Sequence, residues 1–163
     1  MSWQLRRSTT DDLVRIMELE TGTFGTDAWS SAAMLSDLRN PQCYYLVADR
    51  VGFPGELDGY AGLFAPKGAH EGDIQTIAVA ESARRGGLGR ALMNALISEA
   101  RKRGAVEVFL EVRADNPGPK RLYETLGFEE IAVRVGYYQP DGVDAIVMRL
   151  AVPEPVTALE LGR

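Results

Sequence analysis

Near the middle of the chain, glycine and arginine residues cluster in a composition typical of anion-binding loops. The run comprises Arg84, Arg85, Gly86, Gly87, Leu88 and Gly89, and Arg90 follows it. An apolar strand pattern precedes the run, and an amphipathic helix pattern begins at Leu88. Backbone N–H groups at a helix start carry partial positive charge, and glycine lets a phosphate approach them closely. We therefore predict that this run, the phosphate loop (residues 84–90), binds the phosphates of a nucleotide-type cofactor.

Two established phosphate-binding patterns fit the phosphate loop less well. A dinucleotide-binding motif requires G-x-G-x-x-G and an acidic residue about 20 positions later. Gly87-Leu88-Gly89 begins that pattern and Glu111 lies at a suitable distance, but position 92 is Leu92. The chain also offers a single strand-helix-strand unit where a dinucleotide fold has several. A P-loop does not fit, because no Gly-Lys-Ser/Thr sequence follows the glycines.

Hydrophobic periodicity and turn residues predict the elements that position the phosphate loop. Strands are predicted at residues 3–7, 44–49, 57–65, 73–80, 106–113, 129–137 and 144–150. Helices are predicted at 88–103 and 117–126, and two earlier ones start after Thr9 and Ser30. The helix at 88–103 joins two parallel strands, whereas short glycine- and proline-containing turns elsewhere imply antiparallel hairpins. We therefore predict an α+β fold, a mixed, mostly antiparallel sheet of about seven strands with about four helices on its faces.

Length, charge and cysteine content narrow the class of protein. The 163 residues fit one domain, predicted at 1–150, and residues 151–163 are predicted to form a flexible tail. A net charge of −5 argues against a general nucleic-acid binder and suits a cationic substrate such as an amine. One cysteine builds neither a disulfide framework nor a zinc cluster, so no metal is expected. Without a signal peptide or a membrane-length apolar run, we expect a cytoplasmic protein with no membrane partner.

Several segments together resemble a known enzyme family. Arg-x-x-Gly-Leu-Gly, preceded by Thr76-Ile77-Ala78-Val79, is similar to motif A of the GNAT superfamily of N-acetyltransferases. Similarity continues through Leu110-Glu111-Val112-Arg113-Ala114-Asp115-Asn116, Leu122-Tyr123-Glu124-Thr125-Leu126-Gly127-Phe128, Gly136-Tyr137-Tyr138 and Asp144-Ala145-Ile146-Val147-Met148. This combination resembles the ribosomal-protein alanine N-acetyltransferases, the RimI group, and covers nearly the whole chain from 5 to 150. Pro119 and Gln75 depart from the usual family residues.

The resemblance implies a reaction and assigns residues to it. An amine would attack the thioester of acetyl-CoA directly, with Glu111 as the base, acting itself or through a water, and Tyr123 as the proton donor to the thiolate. Position alone would also allow a Glu111 carboxylate paired with a neighbour such as Arg113, and a Tyr123 ring that only packs in the core. Backbone groups of Ile77, Ala78 and Val79 would pair with the pantetheine arm of CoA, and the phosphate loop would hold its phosphates. The amide of Asn116 would contact the same arm, cap the next helix, or both.

The identity of the amine stays open at the level of sequence. An α-amino group has a pKa near 7.7–8.0 against about 10.4 for lysine, about 3.4 kcal/mol less work to deprotonate. The resemblance implies the N-terminal amine of a protein, such as a ribosomal protein that begins with alanine. The residues implied to contact it are Phe24, Asp27, Trp29, Tyr137, Tyr138 and Asp144, with Glu20 as a further acidic candidate. Two alternatives remain: an acetyltransferase for a small amine, such as a polyamine or aminoglycoside, and a non-catalytic CoA-binding sensor.

Overall fold

A computed structural model describes residues 2–153, and their strands form one seven-stranded sheet. The strands are β1 (Trp3–Arg7), β2 (Cys43–Arg50), β3 (Leu57–Phe64), β4 (Glu71–Val79), β5 (Glu107–Arg113), β6 (Glu129–Tyr138) and β7 (Val143–Ala151). The helices are α1 (Leu13–Phe24), α2 (Ser31–Arg39), α3 (Leu88–Lys102) and α4 (Pro117–Thr125). No helix within residues 2–153 combines the length and apolarity needed to cross a membrane.

The order of strands in the sheet is β1-β2-β3-β4-β5-β7-β6. All neighbouring strands are antiparallel except β4 and β5, which are parallel and joined through α3. The predicted fold class, with its single parallel pair, is confirmed. Ala151, which we predict in the tail, is the last residue of β7. The rest of the tail from residue 154 onward lies outside the described residues, so its flexibility and the domain boundary stay predictions.

Two of the helix starts follow the sequence signals closely. Thr9 and Asp12 form a capping box before α1, in which the Asp12 carboxylate accepts from the Thr9 N–H at 2.8 Å. The Ser30 hydroxyl accepts from the N–H of Ala33 at 3.1 Å and starts α2. Such caps satisfy N–H groups that have no partner within the helix. Local sequence therefore suffices to place both helices that border the loop at residues 25–30.

The sheet separates two hydrophobic clusters, one on each face. On one face lie α3 and α4, whose buried positions include Leu88, Leu92, Leu96, Ala100 and Tyr123. On the other face lie α1 and α2, which cover Cys43, Tyr45, Val47, Tyr60 and Ala78. Burial of this apolar surface on both sides stabilises the sheet. The central strands are consequently held rigidly from above and below.

A β-bulge interrupts β4 halfway along its length. Gly62 of β3 pairs with Thr76 and the next residue, Leu63, pairs with Ile74, so Gln75 is the extra residue. The Gln75 amide donates to Asp37 of α2 at 3.3 Å, and the Thr76 hydroxyl donates to a carboxylate of α1. Two consecutive side chains therefore point to the same face. Bulges bend a strand and are common beside active sites.

Substitution of Gly62 tests how tightly the sheet packs under α2. A Cβ at Gly62 would lie 2.2 Å from the Tyr45 ring, and the Tyr45 hydroxyl is tied to Asp37 at 2.6 Å. We expect Gly62→Ala to lower the free energy of unfolding by about 1–3 kcal/mol, because the ring must move. Urea denaturation measures this change. The matched control is Gly22→Ala in α1, where no atom lies within 4 Å of the new Cβ and helix propensity raises stability by up to about 1 kcal/mol. Equal stability of the two variants would contradict this packing.

Candidate active site

A cleft opens in the sheet between β4 and β5. The two strands pair only at Glu71 with Glu107, Gly72 with Val108 and Asp73 with Phe109, although both continue further. Beyond Asp73, β4 stays paired with β3, and β5 stays paired with β7. The bulge at Gln75 bends β4 at the point where the separation begins. Within residues 2–153, the inner edges of both strands beyond this point have no neighbouring strand.

The inner edge of β4 suits an extended chain that carries amides. Ile77, Ala78 and Val79 pair with Ala61, Tyr60 and Gly59 of β3 along one edge, and the opposite edge faces the cleft. A strand edge with free backbone groups binds an added extended segment by main-chain hydrogen bonds. The pantetheine arm of CoA has two amides and fits this description. The placement of these three residues agrees with the role that the resemblance implies for them.

The phosphate loop connects the end of β4 to the start of α3 in a conformation that needs its glycines. Gly87 is the N-cap of α3 with φ +84°, and Arg85 also has positive φ, at +70°. No side chain caps this helix start. The N–H groups of its first turn therefore remain free for an anion. A Cβ at Gly89 would lie 3.3 Å from Leu122 Cδ2, so that glycine also allows α3 to approach α4.

The three arginines of the phosphate loop lie on the surface around this helix start. None of them pairs with a carboxylate within residues 2–153. Arg84 Nε donates to the Val79 carbonyl at 3.2 Å, and Arg90 Nη2 donates to Thr125 Oγ1 at 2.7 Å. Their charge is therefore uncompensated in a chain whose net charge is −5. Helix start and arginines together create a positive site that fits the phosphates of CoA.

Glu111 lies on β5 beside the open part of the cleft. Its carboxylate contacts Arg134 Nε at 3.3 Å and keeps 29% of its side-chain surface exposed. Glu111 is thus paired with a neighbouring arginine, as the alternative interpretation expects, but the partner is Arg134. Arg113, the neighbour named there, binds other carboxylates. The Glu111 charge also raises the pKa of Tyr137. This places a solvent-reachable carboxylate between the cleft and the final hairpin.

Tyr123 of α4 is a buried residue. The residue is 7% exposed, and its ring packs edge-on against Phe128 with centroids 6.1 Å apart. Burial raises the pKa of Tyr123 to about 12, with a smaller contribution from Tyr138. Within residues 2–153 no side chain forms a hydrogen bond with the Tyr123 hydroxyl. At neutral pH the phenol is therefore protonated.

Arg113 joins the loop before α2 to the turn between β6 and β7. Its guanidinium binds Asp27 before α2, Asp115 after β5, and Asp141 in the β6–β7 turn, with contacts of 2.5, 3.0 and 2.5 Å. The same guanidinium lies 5.1 Å from the centre of the Tyr138 ring. These hydrogen bonds raise the pKa of Arg113, the Asp115 bond most. One side chain therefore sets the spacing between two loops.

Glu20 holds the loop between α1 and α2 from inside the protein. It is 1% exposed. Its carboxylate accepts from the Trp29 N–H at 3.0 Å, from Thr76 Oγ1 at 2.8 Å and from the Tyr60 hydroxyl. Burial, and next the Glu20 charge, raise the pKa of Tyr60. Glu20 is thus a structural carboxylate and does not face an incoming peptide, contrary to the sequence expectation.

The remaining predicted acceptor and cofactor residues divide between exposed and internally bonded groups. Phe24 and Trp29 are half-buried against the cluster under α1 and α2. Asp144 Oδ1 accepts from the Gly136 N–H at 2.8 Å and shapes β6. Asn116 is the N-cap of α4, but its side chain makes no capping bond, so the amide stays available for a ligand. Within residues 2–153 no group of three or more His, Cys, Asp or Glu side chains is placed to hold a metal.

Two parts of this site escape sequence reasoning. Arg134 reaches Glu111 from β6, across β7, and only the register of the final hairpin reveals that neighbour. The carboxylates on Arg113 come from positions 27, 115 and 141. Their only signal in the sequence is an excess of aspartate in the loops on either side of the cleft.

Comparisons with known proteins agree with this geometry. The model of the acetyltransferase (GNAT) family matches residues 11–128. The N-alpha-acetyltransferase RimI of Mycobacterium tuberculosis is 38% identical over 150 residues, 90% of this chain and 91% of that protein. The crystal structure of the ribosomal-protein-S18-alanine N-acetyltransferase from Escherichia coli has a TM-score of 0.82 at 31% identity, covering 96% of this chain and 98% of that one. Arabidopsis thaliana NAA60 in complex with acetyl-CoA has the same fold, with a TM-score of 0.81 at 20% identity, over 91% of this chain and 97% of that one.

These matches extend well beyond the phosphate loop. The family model spans α1 to the end of α4, and the relatives cover the final hairpin as well. The resemblance inferred from the motifs, including its RimI-like character, is confirmed. The chain belongs to the GNAT family of acetyltransferases.

Proposed function

We propose that this acetyltransferase moves the acetyl group of acetyl-CoA to the N-terminal α-amine of a protein, a ribosomal protein such as bS18 that begins with alanine. The observation that carries the proposal is Glu111, a reachable carboxylate between the cleft and the Tyr137-Tyr138 hairpin. The names of the relatives from M. tuberculosis and E. coli support the same chemistry and acceptor. A sensor without turnover would have no use for this carboxylate.

Acetyl-CoA supplies an activated acetyl group and a thiolate leaving group. The phosphate loop holds the phosphates through the free N–H groups of α3 and its arginines. The inner edge of β4 at Ile77, Ala78 and Val79 aligns the amide-containing arm, and Asn116 binds it from α4. A backbone N–H of this edge faces the carbonyl oxygen, where negative charge develops during attack. No part of this binding requires a metal.

Glu111 and Tyr123 divide the proton transfers of the reaction. Glu111 accepts the proton that the attacking amine loses, directly or through a water. The new bond forms between the amine nitrogen and the acetyl carbon, and the carbon–sulfur bond breaks. Tyr123 donates its phenolic proton to the departing sulfur, and its high pKa keeps that proton available at neutral pH. Proton exchange with solvent restores both side chains.

The proposed acceptor end of the cleft is bordered by two loops that carry carboxylates. Arg113 ties the loop before α2 to the β6–β7 turn, and Tyr137 and Tyr138 lie edge to face between them with ring centres 5.1 Å apart. A chain that enters between these loops presents its terminal amine to Glu111. An α-amine needs less help than a lysine to become neutral, so one carboxylate is enough. This favours a peptide N-terminus over a polyamine.

Substitution of the two proposed catalytic groups separates chemistry from binding. We expect Glu111→Gln and Tyr123→Phe each to lower kcat by about 10²–10⁴-fold, the range for loss of a general base or acid. CoA affinity, measured by calorimetry, stays near that of the wild type. Thiol release with an alanine-first peptide measures kcat. Glu107→Gln is the matched control, a carboxylate paired with Arg149 at the far end of the same strand. Full activity of Glu111→Gln would refute the assigned base.

The pH profile identifies the class of amine. For an α-amine, kcat/KM rises with pH through about 8 and then levels off, because only the neutral form attacks. Tyr123, with its pKa of about 12, stays protonated over this range, so no falling limb is expected at mildly alkaline pH. The measurement uses alanine-first peptides, the same peptides with a blocked α-amine, and polyamines. A rise centred near 10, or faster turnover of the polyamines, would point to the small-amine alternative instead.

Substitution of Arg113 tests whether the loop before α2 and the β6–β7 turn position the acceptor. We expect Arg113→Gln to lower kcat/KM for the peptide by about 10–100-fold, since a small misplacement of an acceptor is costly, with the larger part in KM. The KM for acetyl-CoA stays unchanged. Hydrogen exchange should quicken in residues 25–29 and 139–142. The control is Arg149→Gln, which also breaks an arginine–carboxylate pair but far from the loops. Unchanged exchange in both loops would show that Arg113 does not hold them.

A further inference from the structure

The phosphate loop rests on a tryptophan from the first strand of the protein. A Cβ built on Gly86 would lie 2.7 Å from Cη2 of Trp3 and 3.4 Å from its Cζ3. The Trp3 ring therefore occupies the space directly beside the backbone of Gly86. Trp3 itself is half-buried and packs against the cluster under α3. A residue 83 positions away in sequence thus forms one wall of the loop.

A buried carboxylate fixes the orientation of this ring. Trp3 Nε1 donates to Asp58 Oδ2 at 2.8 Å, and Asp58 is 1% exposed. Arg50 holds the same carboxylate through Nε at 2.8 Å and Nη2 at 2.6 Å. The Arg50 bonds and next the Trp3 bond outweigh the effect of burial and lower the pKa of Asp58. With every bond satisfied, the indole has a defined position.

Asp58 also controls where the chain leaves β4 for the phosphate loop. Its main-chain carbonyl accepts from the Ala80 N–H at 2.7 Å. One residue further back, Val79 accepts from Arg84 Nε at 3.2 Å. The start of the loop is therefore fixed through the backbone of Asp58, and its middle is supported by the ring that the Asp58 side chain orients. Both constraints position the loop that leads to the free N–H groups at the start of α3.

We propose that Trp3 is a positioning residue for the phosphate loop, held by Asp58 and Arg50, and that it sets the affinity for the phosphates of CoA. The ring does not touch the reacting groups and acts through Gly86. This inference rests on the proposed use of CoA, but it does not depend on the acceptor. Loss of the ring lets the loop relax toward the vacated space, and the aligned N–H groups lose their common direction.

The central experiment compares a donor that has the phosphates with one that lacks them. We expect Trp3→Ala to raise KM for acetyl-CoA by about 10–100-fold, with little change in KM for acetyl-pantetheine, which carries no nucleotide. Trp3→Phe keeps part of the ring and gives an intermediate value. Val106→Ala is the control, because Val106 is an exposed apolar residue just before β5, at the end of the strand away from the cleft. An equal rise for both donors would show a general loss of structure and overturn the proposal.

A size exchange at the contact keeps the proposal testable if Trp3→Ala folds poorly. Gly86→Ala introduces the methyl group that meets Trp3, and we expect it to weaken CoA binding in calorimetry by about 10-fold. Adding Trp3→Leu to Gly86→Ala frees space and restores part of the affinity. No recovery would overturn the direct contact. Calorimetry needs no turnover, so failure of the acetyl-transfer proposal would leave these affinities interpretable.

Fluorescence gives an independent check with an intact phosphate loop. The chain has two tryptophans, so Trp29→Phe leaves Trp3 as the only indole. We expect its emission to change on addition of CoA or of 3′,5′-ADP, and to stay constant with pantetheine. An emission spectrum that stays unchanged on addition of each of the three compounds would overturn the coupling between Trp3 and the loop.

Discussion

The separation of β4 from β5 after Asp73 is the constraint on which the remaining structure depends. A parallel pair in the middle of a sheet would normally continue, because each broken ladder leaves backbone groups without partners. Here the bulge at Gln75 turns β4 aside, and the outer edges of both strands stay bonded to β3 and β7. The unpaired inner edges persist because the helices hold the sheet from both faces. The direct result is an open inner edge of β4, where we propose that the extended arm of CoA binds.

The bulge is itself held by a buried charge. Glu20 accepts from Thr76, which directly follows the extra residue, and from Tyr60 on the neighbouring strand. Burying a carboxylate costs several kcal/mol unless its oxygens are bonded, and here each oxygen has a donor. The same carboxylate accepts from the Trp29 N–H, which belongs to the loop before α2. The shape of the β4 edge that faces the cleft and the position of the loop before α2 are therefore coupled through the Glu20 side chain.

Sequence reasoning succeeds where the determinants are local. The phosphate loop, its glycines, the helix that follows, and the single parallel pair all depend on residues close in the chain, as do the caps at Thr9 and Ser30. It fails where distant segments meet. The Gly86 contact with Trp3, the Asp27 and Asp141 carboxylates on Arg113 and the Arg134 partner of Glu111 depend on register and loop placement. The bulge also escapes notice. Gln75 differs from the usual family residue, but neither it nor Thr76 predicts a bulge until their partners on α2 and α1 are known.

The pairing of Glu111 with Arg134 has a consequence for catalysis. Arg134 is 57% exposed and its contact is 3.3 Å long, and such surface pairs contribute only about 0–1 kcal/mol. If Glu111 is the base as proposed, a substrate ammonium that approaches it can replace the guanidinium at little cost, so that the carboxylate keeps a cationic partner. The Arg113 cluster, with three carboxylates around one guanidinium, cannot exchange its partners in this way. The site thus combines an arginine that fixes the positions of the loops with a replaceable arginine that pairs with the proposed base.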